Sequence, residues 1–140
     1  MFKTFNLQHV ISYFGIFPYL FIIIDRFFLH YMDNNTQTNF IIFYSIIVFV
    51  FIGSTNWDLT KKISIIRALY GFLPSFFSVF FILLYLYDYN IVTLLIISFF
   101  LQLIIDYYLV YDLQVNKIIF FLLRVPLSAL IMISLMVIQL

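Results

Sequence analysis

The chain has no cysteine and no glutamate, three glycines, three prolines, two alanines (Ala68 and Ala129) and few charges of either sign. Each scarcity removes a class of chemistry. Without cysteine there is no disulfide, no thiolate nucleophile and no thiolate-bound metal, so cysteine usage says nothing of the redox compartment. Seven basic and six acidic residues, all of the latter aspartate, give a net charge of +1 and a charged fraction of only 9%. No basic surface can neutralise a run of phosphates, so nucleic acid is not an expected partner. The two histidines, His9 and His30, lie at opposite ends of one apolar stretch, about 30 Å apart on a continuous helix. They cannot share a metal ion or a haem. No phosphate-binding loop, helical His-Glu-xx-His signature or Ser/His/Asp set with nucleophile spacing is present. Neither an enzyme nor a cofactor is expected.

What the chain has in excess is apolar surface: 66% of its 140 residues are hydrophobic and 23% aromatic. A soluble domain of this size buries only about 70% of the surface its chain exposes, which leaves the remainder for lipid to cover. Five stretches nearly free of charge, at about 9–29, 40–57, 69–87, 91–111 and 118–139, match the roughly 20 helical residues that cross a hydrocarbon core. The prediction is an all-α, polytopic transmembrane bundle of five spans forming one domain over 1–140. Gly15 and Pro18 interrupt the first span, and lipid tolerates that proline because neighbouring helices can satisfy the freed carbonyl. Asp25 and Arg26 mark its end, followed by the polar segment MDNNTQTN. Within that segment Asn34, Asn35 and Thr36 form a glycosylation pattern that counts only on a secretory route. Short turns make spans three and four, and four and five, antiparallel neighbours.

Lys3, Lys61, Lys62, Arg67, Lys117 and Arg124 fall at one face and only Arg26 at the other. This asymmetry predicts the N-terminus in the cytoplasm or matrix and the C-terminus outside. Trp57, Tyr107, Tyr108 and Tyr111 mark the inner boundary, with Trp57 as an interface anchor, and Tyr31, Tyr85, Tyr87 and Tyr89 the outer one. The segment MFKTFNLQHV runs directly into the first span, lacks a transit or cleavage pattern, and is expected to stay on the mature protein. Heavy use of Phe, Ile, Tyr and Asn points to an A+T-rich genome, as in reduced bacteria or organelles.

The candidate site lies among polar residues inside the spans. Asp106 and Arg124, counted outward from the shared turn, reach similar depth, roughly 8 to 9 Å in, and can meet. Each alone costs a few kcal/mol at such depth, and a facing opposite charge recovers part of that. Ser98, Gln102 and Asp106 repeat every four residues and form a polar stripe on span four. Asp106 is the expected acceptor for one Gln102 amide proton. The pair reads as a structural link, as two snorkelling side chains or as a functional polar site. Helix packing is assigned to Gly71, Pro74, Ser75 and Ser78 of span three, and Pro126 is expected to loosen span five beside Arg124. Gly53, Ser54, Thr55 and Asn56 offer a small, hydrogen-bonding surface at the inner end of span two.

Five local patterns occur in order: Gly15 to Pro18, an apolar run ending in Gly53 and Trp57, Leu73-Pro74-Ser75, the LQLIID run from Leu101 to Asp106, and RVPLS from Arg124 to Ser128. Together they resemble a family of small membrane proteins found in bacteria and including the mitochondrial transmembrane protein 69 of animals. The resemblance covers nearly the whole chain. The sequence departs from it at Ser54 to Asn56, where relatives tend to carry further Gly and a basic or aromatic residue before the Trp. The resemblance implies a bacterial or mitochondrial inner-membrane location and singles out Trp57, Gln102, Asp106, Arg124 and Pro126, without implying a reaction. Loops too short to dock soluble partners leave contacts within the bilayer. The leading expectation is a non-enzymatic accessory subunit or assembly factor of a larger membrane complex, such as a respiratory one, with membrane-protein partners. The alternative is a minimal oligomeric transporter or channel for a proton or small solute using Gln102, Asp106 and Arg124, although no inverted repeat is visible.

Overall fold

In the computed structural model, residues 7–109 and 120–140 are described. Lys3, Tyr111, Lys117, the turn joining the last two spans and the side chain of His9 lie outside them. All the elements are helical: α1 (Leu7–Phe14), α2 (Phe17–Ile24), α3 (Asn34–Ser54), α4 (Ile65–Leu86), α5 (Val92–Leu109) and α6 (Val125–Gln139). π-helical turns extend α2 over Asp25–Leu29 and lead into α6 over Phe120–Arg124. Five spans are long and apolar enough to cross a membrane: Val10–Leu29, Asn34–Ser54, Ile65–Leu86, Val92–Leu109 and Phe120–Gln139. Between 22% and 39% of the most apolar stretch of each is buried in the protein. The outward faces, with Phe28 and Phe121 well exposed, carry what lipid must cover.

The prolines set the breaks. Pro18 and Pro126 occupy the first turns of α2 and α6, where a missing N–H costs little. Pro126 leaves the Leu122 carbonyl without its helical donor, and the Tyr13 hydroxyl of α1 donates to that oxygen. Near Pro18 the chain turns at Gly15–Ile16, and the Tyr44 hydroxyl of α3 donates to the Gly15 carbonyl at 2.7 Å. The first span is therefore two helical pieces, tied at their junction by the Tyr44 side chain of α3 and to the last span by its own Tyr13.

The second span starts earlier than predicted. The Asp33 side chain caps α3 by accepting from the Thr36 N–H at 3.2 Å and the Thr36 hydroxyl at 2.5 Å. The residues read as a linker, Asn34 to Asn39, are helical. Ser64 caps α4 in the same way, accepting from the Arg67 N–H at 3.3 Å.

Helix order in space also differs from a chain of hairpins. α3 packs against α4, α5 against α6, and α2 against both α3 and α6, whereas α4 and α5, adjacent in sequence, do not pack closely along their length. Phe49 of α3 lies between them, its ring 6.0 Å from Phe81 and 5.7 Å from Phe99. The α3–α4 crossing is close because glycines meet rigid groups: a Cβ on Gly53 would lie 2.5 Å from Pro74 Cγ, and one on Gly71 would strike the Trp57 indole. Ile41, Ile46, Leu95, Phe99, Ile131 and Leu135 fill the centre.

Candidate functional site

Two buried polar clusters lie near opposite ends of the bundle. At the end where α3 and α5 finish, Asp106 is 2% exposed and Arg124 9%. The Arg124 guanidinium donates from Nε at 3.0 Å and from Nη2 to Asp106 Oδ2, forming an ion pair. Asp106 Oδ1 accepts from the Tyr70 hydroxyl at 2.5 Å. That hydroxyl also lies 3.0 Å from the Gln102 carbonyl, so one tyrosine of α4 reaches across to α5. The carboxylate thus ties together α4, α5 and the turn entering α6. Both Asp106 oxygens are engaged from within the protein, which offsets the cost of placing a charge there.

The sequence placed Asp106 and Arg124 within reach, and the structure joins them. Gln102 is buried beside them, but its amide donates to the Phe49 carbonyl of α3 at 3.2 Å, not to Asp106 as expected. α3 supplies a nearer acceptor. Ser98 does not join the cluster: it is partly exposed and donates to the Leu94 carbonyl of its own helix at 2.7 Å. Pro126 stands directly after the π-helical turn that carries Arg124. Of the packing set, Gly71 and Pro74 face α3 and the Trp57 ring. Ser78 is buried and donates to the Ser75 carbonyl at 2.6 Å, which consumes its hydroxyl locally.

Trp57 is half-exposed, yet its indole N–H donates to the Ala68 carbonyl at 2.8 Å. It anchors the α3–α4 connection. Of the four residues before it, Ser54 and Thr55 donate back to Phe51 and Ile52 at 2.8 and 2.7 Å. Asn56 alone turns its side chain inward, donating to the Gly53 carbonyl at 3.2 Å, while its backbone carbonyl accepts from Arg67 Nε at 3.1 Å.

No family model, curated protein or solved structure matches the chain. The site therefore rests on its own geometry.

The second cluster was not anticipated. Asp25, read as the charged end of the first span, is fully buried. Its carboxylate accepts from the Tyr31 and Met32 N–H groups at 2.9 and 3.1 Å and from the Gln37 amide at 2.6 Å. Gln37 also donates to the Met32 carbonyl at 3.2 Å. His30, in the left-handed region at φ 56°, closes the π-helical turn by donating its N–H to the Asp25 carbonyl at 2.7 Å. The turn after the first span leaves the Tyr31 and Met32 backbone N–H groups without helical acceptors, and the buried aspartate takes that role. Tyr70 was likewise missed. It is the second residue of the predicted span 69–87, where it reads as one more boundary tyrosine, and only the earlier start of α4 at Ile65 sets it a turn further in. The Tyr19 hydroxyl pairs with Ser45 Oγ at 2.7 Å, which links α2 to α3.

Outside the spans, the Thr60 hydroxyl and N–H, at 2.6 and 3.0 Å, hold the Asp58 carboxyl below the ordinary carboxylate range. The Thr36 hydroxyl and N–H do the same for Asp33.

Proposed function

We propose that this protein is a non-enzymatic membrane scaffold, an accessory subunit or assembly factor that works by lateral helix packing in a bacterial or mitochondrial inner membrane. One observation carries the reading: Asp106 takes its hydrogen bonds from Arg124 and Tyr70 of the same chain, so its charge serves to fix helices and leaves little capacity for a moving ion. The broad apolar exterior supports it, because in lipid helices associate through packing and hydrogen bonds. The resemblance to small inner-membrane proteins supports the location. The bias of Lys and Arg to one face supports an N-terminus in the cytoplasm or matrix.

Extraction in a gentle detergent tests the reading. A larger membrane-protein partner should copurify in fixed stoichiometry, and Asp106→Asn should lower abundance and association together. Recovery of a clean homo-oligomer without such a partner refutes it. A second reading, a minimal transporter using Gln102, Asp106 and Arg124, is favoured by one observation: the buried Gln102 Oε1 and Ser128 Oγ have no hydrogen-bond partner. Under that reading Asp106→Asn stays folded and abolishes a flux.

A further inference from the structure

α5 and α6 run antiparallel, and the Asp106–Arg124 pair fixes their register. Stepping along the two facing surfaces by three or four residues sets Gln102 at the level of Ser128, Phe99 at that of Ile131, Leu95 at that of Leu135 and Val92 at that of Ile138. All ten of these residues are buried. Three levels are apolar, one is the ion pair, and the Gln102–Ser128 level lies between the ion pair and the apolar run.

At that level two polar atoms have no partner. Gln102 is 3% exposed and its Oε1 is unsatisfied; Ser128 is 1% exposed and its Oγ is unsatisfied. The serine is informative by contrast with its neighbours. Ser134 donates to the carbonyl four residues before it at 2.7 Å, and Ser98 does the same. Ser128 makes no such bond, and its hydroxyl is committed neither to its own helix nor to lipid. Gln102 cannot relieve the mismatch by flipping its amide, because its NH₂ group is already donating to the Phe49 carbonyl. An acceptor on α5 and a hydroxyl at the same level on α6 are left over, each desolvated with no hydrogen bond in return.

We propose that a single water molecule binds between Gln102 and Ser128, donating to Gln102 Oε1 and accepting from the Ser128 hydroxyl. The required ligand is neutral, is both donor and acceptor, and occupies about one helical level, which describes water. Two protein partners are the minimum that hold an internal water, typically joined by a third. The ion pair one turn away makes the level polar, and Phe99 with Ile131 closes it toward the bilayer centre. The water completes the hydrogen bonding of the α5–α6 seam in either functional reading.

The test uses the full chain labelled with ¹⁵N-glutamine in lipid nanodiscs, with the Gln102 side-chain signal assigned by its loss in Gln102→Leu. Wild type should show a cross-peak between the Gln102 side-chain amide and a long-lived water. Ser134→Ala should leave it unchanged, and Ser128→Val, whose added methyl fills the water's place, should abolish it. Absence of the cross-peak in wild type, or its full persistence in Ser128→Val, overturns the proposal. The wild-type spectrum alone decides if Ser128→Val does not accumulate.

Discussion

Replacing one member of the Asp106–Arg124 pair should be far more damaging than replacing both. Asp106 is 2% exposed and receives Arg124 Nε at 3.0 Å, Arg124 Nη2 and the Tyr70 hydroxyl. Arg124→Met leaves that carboxylate buried with only the tyrosine, and Asp106→Leu leaves a buried guanidinium with no counter-ion. Breaking a buried pair in this way costs about 3–5 kcal/mol, roughly a hundredfold to a few thousandfold in the folding equilibrium. The double variant removes both charges together, and Tyr70 keeps the Gln102 carbonyl as its acceptor at 3.0 Å. Well-packed apolar replacement of a buried pair is commonly neutral or stabilising by about 1–4 kcal/mol, so the double variant should fall within about 1 kcal/mol of wild type. Trp57 is the only tryptophan, and its fluorescence during titration from mild detergent into denaturing detergent reads the equilibrium without a label. Single variants within about 0.5 kcal/mol of wild type, or a double variant as unstable as the two losses combined, would refute the reasoning.

Tyr70→Phe removes a hydrogen bond to a charged group and should cost about 1.5–3 kcal/mol in the same titration, falling to about 0.5–1.5 kcal/mol in a background lacking Asp106, where only the bond to the Gln102 carbonyl remains to be lost. Gly53→Ala places a methyl group 2.5 Å from the rigid Pro74 ring and should cost about 1–3 kcal/mol through overpacking, together with a shift in Trp57 emission. Asp25→Asn should speed hydrogen exchange at the Tyr31 and Met32 amides, which the carboxylate holds at 2.9 and 3.1 Å, while leaving amides of α5 unchanged. The Asp33 carboxyl sits below its ordinary range because of Thr36, so its contribution is complete above that range and disappears as pH falls through its own lower value. Protection of the Thr36 amide should drop over that acid window, and Asp33→Ser, a cap without a charge, should make it independent of pH there.

The spans were legible because charge is excluded from hydrocarbon, and the gaps between charges therefore reveal them. Asp106 and Arg124 were legible for a related reason: a short turn makes depth countable on both of its sides. Asp25 was not, since a charge followed by Arg26 near a span's end reads as the boundary itself, and only the fold shows two backbone N–H groups turned back onto it. Asn34 to Asn39 read as linker by composition, but Asp33 starts a helix there and Gln37 points to the interior. Gln102 was found and given the wrong acceptor, because its partner Phe49 contributes a backbone carbonyl that no side-chain pattern records. The α3–α4 pairing depends on Gly53, Pro74, Gly71 and Trp57 meeting across two helices, a match that spacing within one span cannot disclose.

Proton flux into liposomes carrying purified protein, under an imposed potential and pH gradient, bears most directly on whether the buried charges hold helices or move ions. Wild type should conduct no faster than protein-free liposomes, and Asp106→Asn should change stability without changing that rate. A flux well above the protein-free rate that vanishes in a folded Asp106→Asn variant would contradict the account.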